Sequence, residues 1–462
     1  MMMIQRNKFV LMGLAVVVLL HAGLVLSRPI VDSNPRDVSA SQGGPSLSPG
    51  LATVDQIIHD RGNIVTTVDN YGYIGGWQYY GLPSGEWPRN SGHDYIGEIR
   101  YWMGAVNGTD TLVANTYDDF EAMPSLVSSN EEYTILLSTD STRYYDYDLS
   151  DTVGLGYGNP AHGWRVWNAD SALWIHPTNY SPRDSVFFPG GPVSLQESHY
   201  RFWDGALGSP LLGLELTHTI LQWNYCYNED FMFVIIEITN TSAFDYPEFA
   251  FGLYVDLDVG GPDGTGENGR LGDVVAYDSA ANLAWNFEQD GYDEGWKDET
   301  GIMGTKYLET PDDLGMTGLR TGAWSLVPDR DGGRFRFLDS TGFDPILPPE
   351  DQYYIMCTRG INLQAGKTVR VVYALIAGED SADFRNNADL AQELYDNYFV
   401  GPQPPTTPTL TARAGDRKVY LSWNDTAEVS VDPMTGEQDF SGYKIYRSDN
   451  QGRTWGDVDA DN

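Results

Sequence analysis

Eleven residues in the middle of this chain, Phe249 to Val259, limit its folding choices more than any other stretch. Phe249, Phe251, Leu253, Val255, Leu257 and Val259 alternate with Ala250, Gly252, Tyr254, Asp256 and Asp258. Successive side chains of a strand point to opposite faces, so the apolar set buries one face of a sheet and the two aspartates project together from the other. A loop with six glycines, Asp263, Glu267, Asn268 and Asp273 follows. It gathers oxygen ligands on a backbone free to take unusual dihedrals.

The surrounding sequence extends the same reading. Phe231-Met-Phe-Val-Ile-Ile236 is apolar without alternation, which at this length predicts a strand covered on both faces. With Leu214–Tyr227, Leu283–Phe287, Tyr353–Thr358 and Thr368–Ala377 it predicts a main β-sandwich core over 214–400. Shorter strand-like runs, Asn63–Val68, Glu98–Val106, Thr111–Ala114 and Tyr133–Leu137, lie between clusters of Gly, Pro, Asn and Asp. Residues 62–213 therefore form either an aromatic-rich β domain or the first part of a larger β unit. Asn107-Gly-Thr-Asp110 predicts a tight hairpin, because Asn-Gly readily takes positive φ. The fold class expected is all-β, with tandem β-sandwich domains. Its single helix after the N-terminus is expected near residues 383–399, with Ala388, Ala391, Leu394, Tyr395 and Tyr398 close to one face.

At the N-terminus Arg6 and Lys8 precede an apolar run from Phe9 to Leu26, and small residues stand at Val25 and Ser27. This predicts a secretory signal peptide over 1–27, with an uncleaved anchor as the alternative, and a secreted or cell-surface location. No later apolar stretch is long enough for a membrane span. Residues 28–61 read as a flexible tether. Acidic residues number 65 against 28 basic ones, a formal charge of −37. Such a surface repels nucleic acid and anionic headgroups, and suits either a solvated exterior or cation binding. Cys226 and Cys357 sit in apolar runs that suit two buried thiols, although export also permits a disulfide.

Gly264-Thr-Gly-Glu-Asn-Gly269 fits the G-x-G-x-x-G pattern, but no helix pattern follows and acidic neighbours repel a pyrophosphate, so no nucleotide cofactor is expected. The same stretch suits a structural calcium ion held by Asp256, Asp258, Asp263, Glu267, Asn268 and Asp273, in a spacing unlike that of an EF-hand. A solvated acidic turn is the competing reading. His162, His176, His199 and His218 match no zinc spacing and are expected to pack. Neither H-E-x-x-H nor G-x-S-x-G occurs. Trp77, Tyr79, Tyr80 and Trp87 could stack on sugar rings, and a glycosidase needs only two carboxylates, but no pair stands out among so many acids.

Pro402, Pro404, Pro405 and Pro408 form a stiff linker over 401–408. Beyond it, PTLTARAGDRKVYLSWND and DFSGYKIYRSDNQGRTW resemble the first strands of a fibronectin type III module, with Trp423 and Tyr443 at its core positions. A full sandwich of that kind takes about 100 residues, so 409–462 corresponds to part of one. NIVTTVDNYGYIGGW and the passage from FMFVIIEITN to VRVVYALIAGED are similar to stretches of large secreted bacterial β-sandwich proteins to which no activity is attached. The expected function is an exported, non-catalytic binding, adhesion or spacer protein meeting an extracellular polysaccharide or a cell-surface protein. The alternative is a secreted hydrolase acting on glycans, with the fibronectin-like module as an accessory.

Overall fold

The computed structural model describes residues 54–76, 81–107, 110–116, 118–123, 194–205, 211–261, 269–397 and 405–432, and shorter pieces within 135–139, 166–175 and 399–443. In chain order the strands of the first half are β1 (Gln56–His59), β2 (Val65–Asp69), β3 (Ser84–Glu86), β4 (Ile96–Asn107), β5 (Asp110–Asn115), β6 (Glu121–Met123), β7 (Leu136–Leu137), β8 (Val166–Asn168), β9 (Leu173–Ile175), β10 (Gln196–Trp203), β11 (Leu214–Gln222) and β12 (Phe231–Asn240). The second half holds β13 (Tyr246–Leu257), β14 (Asp273–Asp278), β15 (Leu283–Glu288), β16 (Tyr292–Asp293), β17 (Asp298–Glu299), β18 (Ile302–Glu309), β19 (Gly318–Ala323), β20 (Gln352–Leu363), β21 (Thr368–Gly378), β22 (Leu410–Gly415) and β23 (Lys418–Trp423). Two α-helices join them, α1 (Asp331–Leu338) and α2 (Ser381–Asp396). The chain is all-β in class. By its internal contacts it divides into one unit over 47–398 and another that includes 399–462.

In addition to the three-stranded sheet β1-β2-β3, the larger unit is built on two large antiparallel sheets packed as a sandwich. One runs β14-β15-β18-β21-β12-β11-β10-β6, with β7 also on β10, and the other β19-β20-β13-β4-β5. Residues 62–213 and 214–400 share both sheets, since β10 pairs with β11 and β4 with β13. The apolar half of β13 faces inward: Phe249, Phe251, Leu253, Val255 and Leu257 join Tyr101 and Met103 of β4, Met232, Val234 and Ile236 of β12, and Val371, Tyr373 and Leu375 of β21 in one core. β12 lies between β11 and β21 and is buried on both faces, as its unbroken apolar run requires. β4 and β5 pair antiparallel up to Asn107 opposite Asp110, on either side of the expected hairpin turn, whose residues 108 and 109 lie outside the described residues.

The outer face of β13 is buried too. Ala250 and Tyr254 pack with Trp102, Tyr353, Ile355 and Cys357 under α1, whose Phe335 and Leu338 complete the cluster. The sequence pattern gives no hint of α1, because Gly332 and Gly333 are poor helix formers; it forms where two apolar side chains find an apolar sheet face. Gly104 and Gly252 are the floor it rests on. A Cβ at Gly104 would come 2.9 Å from both Leu338 and Phe335, and one at Gly252 would overlap a Leu338 methyl. α2 starts and stops earlier than 383–399. Asp380 caps it by accepting the N–H groups of Ala382 and Asp383 at 2.8 Å. Its Phe384, Ala388, Ala391, Leu394 and Tyr395 are buried.

Cys357 is buried, where burial pushes its thiol up to about 12. Cys226 is exposed and the two are unpaired. The expected pair of buried thiols fails because the run from Leu214 leaves the sheet at Gln222 and turns before β12, with the Asn228 N–H on the Tyr225 carbonyl.

His59, His199 and His218 are buried, and each is held near 3 by burial, His218 also by the other two. Their partners are hydroxyls: Ser198 for His59 at 2.8 Å, Thr219 for His199 at 3.0 Å, and Tyr101 for His218 at 2.6 Å. His162 and His176 lie outside the described residues. Such histidines bind protons less readily folded than unfolded, so the stability they contribute is present above about pH 6.5 and is lost as pH falls towards 3. Burial raises Asp69 to about 7, which works in the opposite sense between about 3.8 and 7. Other buried acids, Asp256 and Asp273 among them, are raised as well, so the histidine effect is read by difference: from pH 7 to pH 4 the melting temperature of His218→Gln is expected to rise relative to that of the wild type. For the helix floor, Gly252→Ala is expected to cost about 1–3 kcal/mol in urea unfolding, because the added methyl would meet the buried Leu338 and Ile355 side chains.

Candidate metal centre

At the C-terminal end of β13 the strand register does the positioning. Asp256 stands opposite Glu98 on β4 and Tyr353 on β20. One step further Leu257 stands opposite Ile96, so Gly97 is an extra residue on β4, a β-bulge. Asp258, just past the strand, is tied by its N–H to the Tyr95 carbonyl at 2.9 Å. A Cβ at Gly97 would sit 3.2 Å from both Asp256 Oδ2 and Asp258 Oδ2, so glycine leaves open the space between the two carboxylates. The Gly97 carbonyl is fixed from behind by the Tyr73 hydroxyl at 3.0 Å.

A third carboxylate arrives from far along the chain. Asp351 immediately precedes β20, and its carbonyl accepts the Trp324 N–H at 2.9 Å. One oxygen from each of Asp256, Asp258 and Asp351 lies within 4.8 Å of the others. Asp256 is 6% exposed and Asp258 9%. At such separations, two ionised carboxylates repel by roughly 3 kcal/mol with an effective dielectric near 20. Burial, then Asp258, Glu98 and Asp351, push Asp256 well above the usual carboxylate range. Arg100 opposes this from the side, but it is engaged by Glu98 and lies over the Tyr254 ring at 4.9 Å. Asp256 Oδ1 is buried and meets no hydrogen-bond donor.

Of the six expected ligands, Asp256 and Asp258 come together, while Asp263, Glu267 and Asn268 lie outside the described residues. Asp273 is buried beside them in a different role: its two carboxylate oxygens accept the Val259 N–H at 3.2 Å, and its carbonyl takes Gln352 Nε2 at 2.8 Å. Burial and then Asp258 raise it well above its ordinary range. Asp351 escaped the sequence reading because nothing local marks it; its place depends on β20 pairing with β13. Trp87 is a core residue whose indole N–H is donated to Asp230 at 2.7 Å, not a sugar platform. Trp77, Tyr79 and Tyr80 lie outside the described residues.

Chemically, Asp256 near the end of β13 and Asp258 just past it bring their carboxylates together with Asp351, the convergence of oxygen ligands that an ion requires.

No protein-family profile matches the chain, and no curated protein matches it. Among solved structures it is similar to a polysaccharide lyase at 9% identity and a TM-score of 0.28, over 72% of this chain and 34% of that one. It is also similar to a heparinase III at 8% identity and 0.25, over 81% of this chain and 39% of the other. The chain thus spans about a third of the lyase's length. Among the described residues no helix is long and apolar enough to cross a membrane.

An acid whose folded pKa is raised contributes stability below its unfolded value near 4 and loses it as pH rises through the folded value. In chelator-treated buffer Asp256→Asn is therefore expected to be the more stable protein at pH 8. Its advantage should shrink towards pH 4 in parallel thermal melts; a pH-independent difference would contradict mutual repulsion of the carboxylates.

Proposed function

We propose that the chain is an exported, non-catalytic protein of the cell exterior, a binding, adhesion or spacer protein whose partner is an extracellular polysaccharide or a cell-surface protein. The observation that carries this reading is modular. The second unit holds the hairpin β22–β23, in register from Leu410 opposite Trp423 to Gly415 opposite Lys418. The Trp423 and Tyr443 rings lie 5.2 Å apart, the pair expected at the core of a fibronectin type III module. That pairing supports reading 409–462 as part of such a module behind a proline linker, an arrangement suited to spacing and display. The leader-like N-terminus supports export, and the strongly acidic charge suits a solvated exterior.

Residues 1–30 fused to a reporter without its own leader are expected to export it. The purified full chain is expected to release no reducing ends from a panel of polysaccharides. Release that disappears on a single carboxylate or histidine substitution would overturn the reading in favour of a secreted glycan hydrolase.

A further inference from the structure

We infer that Asp256, Asp258 and Asp351 form the ligand core of a binding site for one calcium ion, joining the bulged end of the β13–β4 pair to the start of β20. This inference does not rest on the reading of the chain as a binding or spacer protein.

Three acids near one another are common on an acidic protein, and proximity alone assigns nothing. What distinguishes this group is that one of its members, Asp256, is a buried carboxylate with an unmet acceptor oxygen. Neighbouring carboxylates have protein donors: Asp273 takes the Val259 N–H, and Glu98 takes Arg100. Asp293 takes the N–H groups of Gly261 and Trp296. Asp256, more than nine-tenths buried, keeps Oδ1 without any donor although it sits inside the cluster. A buried carboxylate oxygen left in this way costs several kcal/mol in general, and a cation shared with Asp258 and Asp351 offsets that cost while also removing their mutual repulsion.

The surroundings are shaped for an ion and not for a basic side chain. Arg100 is the cation nearest in influence to Asp256, and its guanidinium is committed to Glu98, with Asp118 at 3.8 Å. At Gly97 the bulge brings backbone up to both Oδ2 atoms without a side chain to fill the gap. Asp351 is only partly buried, so it forms the mouth through which an ion enters and through which water completes the shell.

The donor set selects the metal. Oxygen-only ligands exclude a preference for zinc or copper, which favour imidazole or thiolate. Magnesium requires a near-octahedral shell of about 2.1 Å contacts and holds its waters tightly. Two carboxylates from one strand end and a third from a separate segment give an irregular shell, which calcium's six to eight longer contacts accept.

The test uses the full chain, stripped with chelator and desalted into metal-free buffer at pH 7.5, titrated with calcium chloride and separately with magnesium chloride by calorimetry and thermal melting. One calcium per chain is expected, with the melting temperature rising by about 3–5 °C near saturation and a response to magnesium at least tenfold weaker in affinity. Asp351→Asn, at the partly exposed mouth, should keep the wild-type circular dichroism and lose at least tenfold in calcium affinity, and Gly97→Ala should do the same by crowding both Oδ2 atoms. Asp290→Asn, on an exposed turn, should respond as wild type. Absence of any calcium response in the wild type overturns the site. So does a calcium response retained in both Asp351→Asn and Asp258→Asn, which would mark diffuse binding to the acidic surface. Equal responses to calcium and magnesium overturn the assignment to calcium.

Discussion

The pairing of β13 between β4 and β20 is the interaction on which the rest of the larger unit depends. β13 turns its phenylalanines, Leu253 and Val255 into the inter-sheet core, and Ala250, Gly252 and Tyr254 towards a second layer under α1. A strand buried on both sides has no solvent-facing register to slip into, since a shift of one residue would put large side chains where Gly252 now meets Leu338. That fixed register decides where the carboxylates fall. With Asp256 held opposite Glu98 and Tyr353, neither β4 nor β20 can move without carrying a side of the acidic cluster with it.

The two candidate roles of the chain draw on different parts of it. Modularity depends on the second unit and its hairpin, where Val419 and Tyr420 are exposed. The carboxylate cluster belongs to the larger unit and bears on its stability. The buried histidines and the buried acids give that unit opposite pH sensitivities: the histidines favour neutral pH, while Asp69, Asp256 and Asp273 favour acid unless their charge is met. A bound cation would relieve the acidic cluster while leaving the histidine effect in place.

Much of the sheet was legible from local pattern. The alternation from Phe249 and the unbroken run at Phe231 correspond to simple physical demands, an apolar face turned to the inter-sheet core and a strand covered on both faces, and the strand pairing on either side of the Asn-Gly stretch falls where expected. α1 was not legible, because its formation depends on two glycines in strands far away and not on its own sequence. Nor was the turn that exposes Cys226, since apolar residues continue past the last residue that finds a strand partner.

By itself the sequence determined the all-β class, the position and facing of most long strands, and the convergence of Asp256 and Asp258, because a period of two is a local property of the chain. Only the tertiary structure decided that both halves of the larger unit build the same two sheets, that the outer face of β13 is buried, and that Asp351 joins the two aspartates while Asp273 turns to the Val259 backbone. The place of the acidic cluster is set by strand pairing of β13 with β4 and β20, distant in sequence, and by a bulge at Gly97, whose energies depend on neighbours that no local window contains.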